Sequence, residues 1–224
     1  MCGRFGLDVS GEELAELLEL DSDAVPETKP RFNIAPGQEI LAMRMMEDGR
    51  EATVLRWGLI PSWAKDRKIA HKLINARSET VAEKPSFRGA FRTRRCLIPA
   101  DGFYEWRRSG KVKEPHHIGL KGGEAFFFAG LWESWIDPQS GEVVESATLL
   151  TTTPNSLVAP IHDRMPVIVR PGHLLPWLQG EMHGVEEVFR PLEASLMEAW
   201  PVGPRVNKPI HDDAQLRFRQ ATLF

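Results

Sequence analysis

The run Ala125-Phe-Phe-Phe-Ala-Gly-Leu-Trp132 is almost continuously apolar. A strand with one wet face alternates apolar and polar residues, whereas an unbroken apolar run suits a strand buried on both faces. The stretch therefore predicts a central strand over 125–131. Six further segments, 39–45, 52–57, 95–99, 116–120, 147–152 and 166–169, read as strands around it. Ser10 and Glu13 make a capping box, and Leu14, Leu17 and Leu18 then fall on one face, which predicts the first helix. Segments 174–178 and 185–200 read as helices, with Pro191 opening a new one, because proline is tolerated only in a helix's first turn. Many strands, with helices at the ends and in the connections, predict an α+β fold. The expectation is a single domain over residues 1–224, with a largely antiparallel, barrel-like β-sheet core and peripheral helices.

At 224 residues the chain has the length of one large domain. Hydrophobic residues at 42% and charged residues at 26% are those of a soluble globular protein, which excludes collagen, coiled coil and disordered tail. No apolar run nears the roughly 18 residues of a membrane span. The N-terminus, Met1-Cys-Gly-Arg-Phe-Gly-Leu-Asp8, turns polar too soon for a signal peptide. Cys2 and Cys96 are too few for a disulfide scaffold or a Cys-rich zinc site. These features predict a cytoplasmic monomer, nucleoid-associated if the host is bacterial.

The net charge of −3 argues against a generic nucleic-acid binder, but it hides a polarity. Residues 65–95 hold ten Lys or Arg against three acids, while residues 12–27 hold seven acids and no base. One cationic surface for an anionic partner is the expectation, with the acidic remainder limiting nonspecific contact.

Several familiar sites are absent: no Gly-rich phosphate loop, no dinucleotide fingerprint, no His-Glu-x-x-His, no Cys-x-x-Cys. His116 and His117 are adjacent, and neighbours on a strand point to opposite faces, so they make a poor chelate. No cofactor and no metal are implied. The unusual residue is Cys2. Removal of Met1 would leave a cysteine with a free α-amine, of ordinary pKa about 7.7–8.0, beside its thiol. A neutral amine condenses with an aldehyde to an imine, and the thiol can close onto that imine as a five-membered thiazolidine, favoured by proximity. Alternatively a thiolate, its pKa lowered by Arg4, attacks a carbonyl with the amine as base.

Three other segments bear proton-transfer or anchoring groups. Leu73-Ile-Asn-Ala-Arg-Ser-Glu-Thr80 sets Asn75 and Arg77 two apart, on one face if extended. Ala100-Asp-Gly-Phe-Tyr-Glu-Trp106 flanks Glu105 with aromatics, whose desolvation would raise a carboxyl pKa toward proton-transfer duty. Ile161-His-Asp-Arg-Met-Pro166 puts His162 in a turn beside two charged groups.

These segments, with Met1-Cys-Gly-Arg-Phe5, Arg31-Phe-Asn-Ile-Ala-Pro-Gly37 and Trp57-Gly-Leu-Ile-Pro61, resemble the SOS-response-associated peptidase (SRAP) family. The ordered motifs run through about residues 2–210. The resemblance implies recognition of abasic sites in single-stranded DNA, with covalent attachment of the ring-opened sugar's aldehyde to Cys2 once Met1 is gone. It also implies a self-processing peptidase activity. Asn75 would then hold the N-terminal cysteine and the sugar. Glu105 would act as acid/base at the imine, and His162 would move a proton at the sugar oxygen.

By the same resemblance, Arg4 and Arg77 would clamp phosphates beside the lesion, since guanidinium forks match phosphate oxygens. Trp63 would stack on a base or wedge the strand. Asn33, Pro36 and Gly37 would form a DNA-binding loop near the active site, Gly37 allowing close backbone approach. Trp57 reads as core. The basic stretch 88–95 lies outside the motifs, and Val206-Asn-Lys-Pro209 matches only loosely, so neither receives a role.

Two other classes compete. An N-terminal nucleophile amidotransferase would also begin Met-Cys-Gly, but position 4 is Arg, no Asn-Gly dipeptide is present, and Asn75, Glu105 and His162 would go unused. A noncatalytic reader of single-stranded DNA would need only the basic patch and Trp63.

Overall fold

The apolar run at 125–132 lies in an eleven-residue strand, Phe126–Ile136, whose first six residues are buried on both faces. The computed structural model describes residues 2–110, 112–180 and 183–220. In chain order the first elements are β1 (Phe5–Leu7), α1 (Gly11–Leu18), β2 (Arg31–Ile34), β3 (Glu39–Met46), β4 (Gly49–Trp57), β5 (Asn75–Arg77), α2 (Arg88–Thr93) and β6 (Arg95–Ala100). Then come β7 (Gly102–Ser109), β8 (Val112–Leu120), β9 (Phe126–Ile136), β10 (Val143–Thr152), β11 (Met165–Pro166), β12 (Ile168–Val169), α3 (Leu174–Leu178), α4 (Val185–Phe189) and β13 (Met197–Pro201).

Strands β10, β4, β3, β6 and β9 form a ring that closes where β9 pairs with β10, so the barrel-like expectation holds. Closure removes the open edges that a sheet of such apolar strands would otherwise expose. β12 adds to β9, and β11 and β5 add to β10; only β4 and β5 run parallel to β10. The second sheet has the order β13-β8-β7-β1-β2 and is antiparallel throughout. Phe5 of β1 joins the two layers, with its ring 5.2 Å from Trp57 and 5.6 Å from Phe128, both edge-on. Such pairs are favoured by the ring quadrupole as well as by burial. Trp57 is core, as expected.

The Ser10–Glu13 capping box forms, and α1 buries Leu14 and Leu18 against the core. Residues 185–200, read as helical from sequence, are α-helical only through Phe189, with a 3-10 turn at Ala194–Leu196 after Pro191. The segment Met197–Pro201 is β13, paired with β8 from Met197↔Leu120 to Pro201↔His116. An available sheet edge outweighs the weak helical spacing there. The expected single cationic surface over 65–95 is also divided. Arg95 is 2% exposed, sandwiched between Phe91 and Trp177 at 4.6 and 4.7 Å, and burial lowers its pKa to about 10. Arg94 pairs with Glu133 and Arg67 with Asp137.

Candidate active site

β1 lies between β2 and β7 in the second sheet, and the Tyr104 amide donates to the Arg4 carbonyl at 2.9 Å, so the residues just before Phe5 are fixed. Cys2 is completely buried at the seam between the sheet and the barrel. Asn75 reaches it from β5, donating from Nδ2 to the Cys2 carbonyl at 2.7 Å. Asn75 is held in turn by its parallel pairing with Leu149, while the Ile74 carbonyl accepts from Trp57 Nε1 at 3.0 Å and from the Leu149 amide at 3.2 Å. The Oδ1 of Asn75 is buried and, among the described residues, has no hydrogen-bond partner.

Burial pushes the Cys2 thiol well above its ordinary pKa, and the nearby Glu105 charge pushes the same way. The Arg4 side chain does not counter this. Its guanidinium donates to Asn33 Oδ1 at 2.9 Å and to the carbonyls of Val206 and Asn207 at 2.6 and 3.1 Å; only its backbone carbonyl faces the Cys2 sulfur, at 3.8 Å. The expectation of a thiolate lowered by Arg4 is therefore corrected.

Glu105 on β7 is 2% exposed, and burial raises its carboxyl to about pH 7. The Nε2 of His162 stands 3.9 Å from Glu105 Oε2, an ion-pair distance longer than a hydrogen bond. The Nδ1 of His162 faces the Arg164 amide at 3.0 Å and the Arg164 carbonyl at 3.2 Å, and the carbonyl favours the protonated ring. The same nitrogen also faces the Asp163 carboxylate at 3.0 Å, which favours the cation. Burial outweighs both and lowers the imidazole pKa. The loop itself is anchored by Arg164, which grips both oxygens of Glu79 at 2.5 and 2.9 Å and donates to the Thr151 carbonyl at 2.6 Å. A near-neutral carboxyl facing a neutral imidazole can pass a proton in either direction around pH 7.

Glu105 and His162 open on a cleft of about 440 Å³, lined also by Trp106, Arg108, Lys113 and Asn207. Sequence reading missed the last four. The cue for Arg108 and Lys113 was the Ser109-Gly110 dipeptide, a turn signal that sets the hairpin register of β7 and β8 and so pairs the two cations. Asn207 lay in the loosely matching segment, and its Oδ1 accepts from Trp106 Nε1 at 2.7 Å.

The remaining expected residues separate into two groups. Arg77 is exposed at the end of β5, with no hydrogen bond or ion pair among the described residues, and Trp63 is 56% exposed. Pro36 and Gly37 form the turn after β2, where Gly37 takes the left-handed φ of 87° that favours glycine. Asn33 is not on that loop. It lies in β2, fully buried, and its Nδ2 donates to the His211 carbonyl at 2.8 Å while Oδ1 accepts from Arg4. Arg4 and Asn33 thus tie the C-terminal segment to the N-terminal strand. Among the described residues no helix is long and apolar enough to cross a membrane, and no cluster of three His, Cys, Asp or Glu could hold a metal ion.

Residues 1–209 match the family model described as SOS response associated peptidase (SRAP). The chain is 42% identical over 221 residues to the abasic site processing protein YoaM of Bacillus subtilis, covering 96% of this chain and 97% of that one. It is 30% identical over 190 residues to the abasic site processing protein YedK of Escherichia coli, covering 83% of each. A solved structure of a protein from Bacteroides thetaiotaomicron superposes with a TM-score of 0.84 at 27% identity, covering 98% of this chain and 100% of that one.

Proposed function

The chain belongs to the SOS response associated peptidase (SRAP) family, and from that premise we propose that it traps abasic sites in single-stranded DNA through Cys2. Removal of Met1, by self-processing or by an aminopeptidase, frees the α-amine of Cys2. The amine adds to the C1′ aldehyde of the ring-opened sugar, and loss of water gives an imine. The S–H of Cys2 then adds across the C=N bond: sulfur bonds to C1′ and the proton goes to nitrogen, closing a thiazolidine. The second step is intramolecular and so gains the advantage of proximity.

The observation that carries this reading is the convergence on Cys2: Asn75 holds its carbonyl at 2.7 Å, while Glu105 and His162 share the adjoining cleft. Glu105, ionising near pH 7, donates a proton to the departing water and then accepts one from the thiol. A neutral thiol suits that order, because the amine acts first and the sulfur's proton is removed only at ring closure. His162 shuttles a proton at the sugar ring oxygen, promoting opening and, in reverse, release. Asn75 Oδ1 receives the amine or a sugar hydroxyl. Arg77 and Trp63 hold the strand outside the pocket.

A denaturing gel of the protein with a single-stranded oligonucleotide carrying one abasic site tests this reading. A retarded band that needs both the lesion and Cys2 is expected, with undamaged DNA and Cys2→Ala as controls. Cys2→Ser should give only an imine, visible after borohydride reduction. No band from protein shown by mass spectrometry to lack Met1 would overturn the trapping mechanism and leave a noncatalytic DNA reader.

A further inference from the structure

Arg108 and Lys113 stand directly opposite each other on β7 and β8. Opposed residues of an antiparallel pair bring their Cβ atoms within roughly 5 Å, where like charges repel. One step farther from the turn than Arg108, the neighbouring Arg107 faces Glu114 and forms an ion pair at 2.7 Å. Arg108 and Lys113 have no such relief: both are exposed, and neither has a hydrogen bond or ion pair among the described residues. Both line the cleft that holds Glu105 and His162, and the field of Arg108 reaches the His162 ring.

The same face carries an aromatic surface. Trp106 precedes Arg108 by two residues, so their side chains leave the strand on one side. The Trp106 indole is held by Asn207 and lines the same cleft. A fixed aromatic beside a concentrated positive charge is the combination that single-stranded nucleic acid uses, a stacked base next to a neutralised phosphate. The neighbouring Asp163 carboxylate pairs with His162 Nδ1 at 3.0 Å.

We propose that Arg108 and Lys113 form a phosphodiester subsite at the mouth of the cleft, with Trp106 as the stacking platform beside it. The polynucleotide as occupant rests on the abasic-site reading above; the paired cations define the anion class. Arg77 lies on the Asn75 side of Cys2 and this pair on the Glu105 side, so the strand is gripped on both sides of the nucleophile. Phosphate binding also removes the repulsion that the pair carries in the free protein.

The test uses fluorescence anisotropy with a single-stranded oligonucleotide carrying a tetrahydrofuran abasic analogue, which has no aldehyde, titrated over a series of salt concentrations. Arg108→Ala and Lys113→Ala should each weaken binding about five- to ten-fold at low salt and flatten the slope of log K against log salt by about 0.7, the value for one lost single-strand phosphate contact. Arg108→Glu/Lys113→Glu should weaken it further, and Lys121→Ala, at the other end of β8, should match the parent. Melting temperatures of the two alanine variants should equal or exceed the parental value. Parental affinity and slope in both alanine variants would overturn the subsite, as would weakened binding accompanied by lower melting temperatures. If the parent forms no adduct with abasic DNA but the variants flatten the slope, the trapping chemistry falls and the subsite stands. If the parent forms the adduct and the variants bind as it does, the subsite alone falls.

Discussion

The side-chain amide of Asn75 donates to the main-chain carbonyl of Cys2 at 2.7 Å, linking the barrel to the first residues of the neighbouring sheet. Those two elements are far apart in sequence, and the bond between them fixes the main chain at Cys2. The rest of the apparatus follows from the same seam. Phe5 wedges β1 against Trp57 and Phe128, so the position of Cys2 depends on the aromatic core rather than on a loop.

Asn75→Ala should therefore damage chemistry more than binding. Loss of one fixing hydrogen bond lets the N-terminal residue wander, and misplacement of a nucleophile by about 1 Å can cost on the order of 100-fold. Adduct formation at saturating abasic DNA should slow by about 10- to 100-fold, while affinity for the tetrahydrofuran analogue stays within about three-fold. Single-turnover gels and anisotropy measure the two; a parental rate would remove Asn75 from the positioning of Cys2.

The rate of adduct formation should depend on pH through Glu105. Its carboxyl is protonated below about pH 7 because burial opposes ionisation, so the limb that needs the acid declines as pH rises through that value. Glu105→Gln should slow the reaction and abolish that limb. The sign for stability is the same: a folded pKa above the unfolded 4.5 gives a contribution that is full below pH 4.5 and lost as pH rises through about 7. Melting temperatures of parent and Glu105→Gln should therefore diverge between pH 5 and pH 8 in favour of the variant. An unchanged pH profile in the variant would assign the proton transfer to another group.

Much of this arrangement was legible in the sequence, and what was not has a physical cause. Continuous apolarity located β9 and a capping box located α1; Asn75 bonds to the Cys2 carbonyl, and Glu105 and His162 line one cleft. Periodicity failed at Met197–Pro201, because what decides that segment is the free edge of β8 and not its own pattern. Charge counting failed at Arg95, since a guanidinium between two aromatic faces counts toward the core. Arg4 and Asn33 carry the motif, yet their partners are carbonyls of residues 206–211, a long-range pairing that local sequence does not encode.

Arg77 and Trp63 should be separable by salt. Arg77 follows Asn75 by two residues on one strand and ends exposed, so Arg77→Ala should weaken DNA binding and flatten the salt dependence by about 0.7. Trp63→Ala should cost about 1–3 kcal/mol of stacking with an unchanged slope. Anisotropy titrations at several salt concentrations distinguish these outcomes; equal slopes in parent and Arg77→Ala would exclude a phosphate contact there.

His117 sets a limit on acid stability. Its ring lies 4.7 Å from Trp200 and 5.2 Å from Tyr104, with neither nitrogen hydrogen-bonded, and a side chain at Gly102 would overlap it. Burial, reinforced by the Arg217 charge, lowers its pKa from 6.5 to about 3. The unfolded chain therefore takes up a proton that the folded one refuses, and stability that is full above pH 6.5 falls as pH drops toward 3. Each unit is worth about 1.4 kcal/mol, so at pH 5.5 this residue should cost about 1 kcal/mol. His117→Phe keeps the aromatic contacts and removes the titration. Urea midpoints of parent and variant should thus draw apart between pH 7.5 and pH 5, the parent losing more; parallel curves would show that His117 titrates alike in both states.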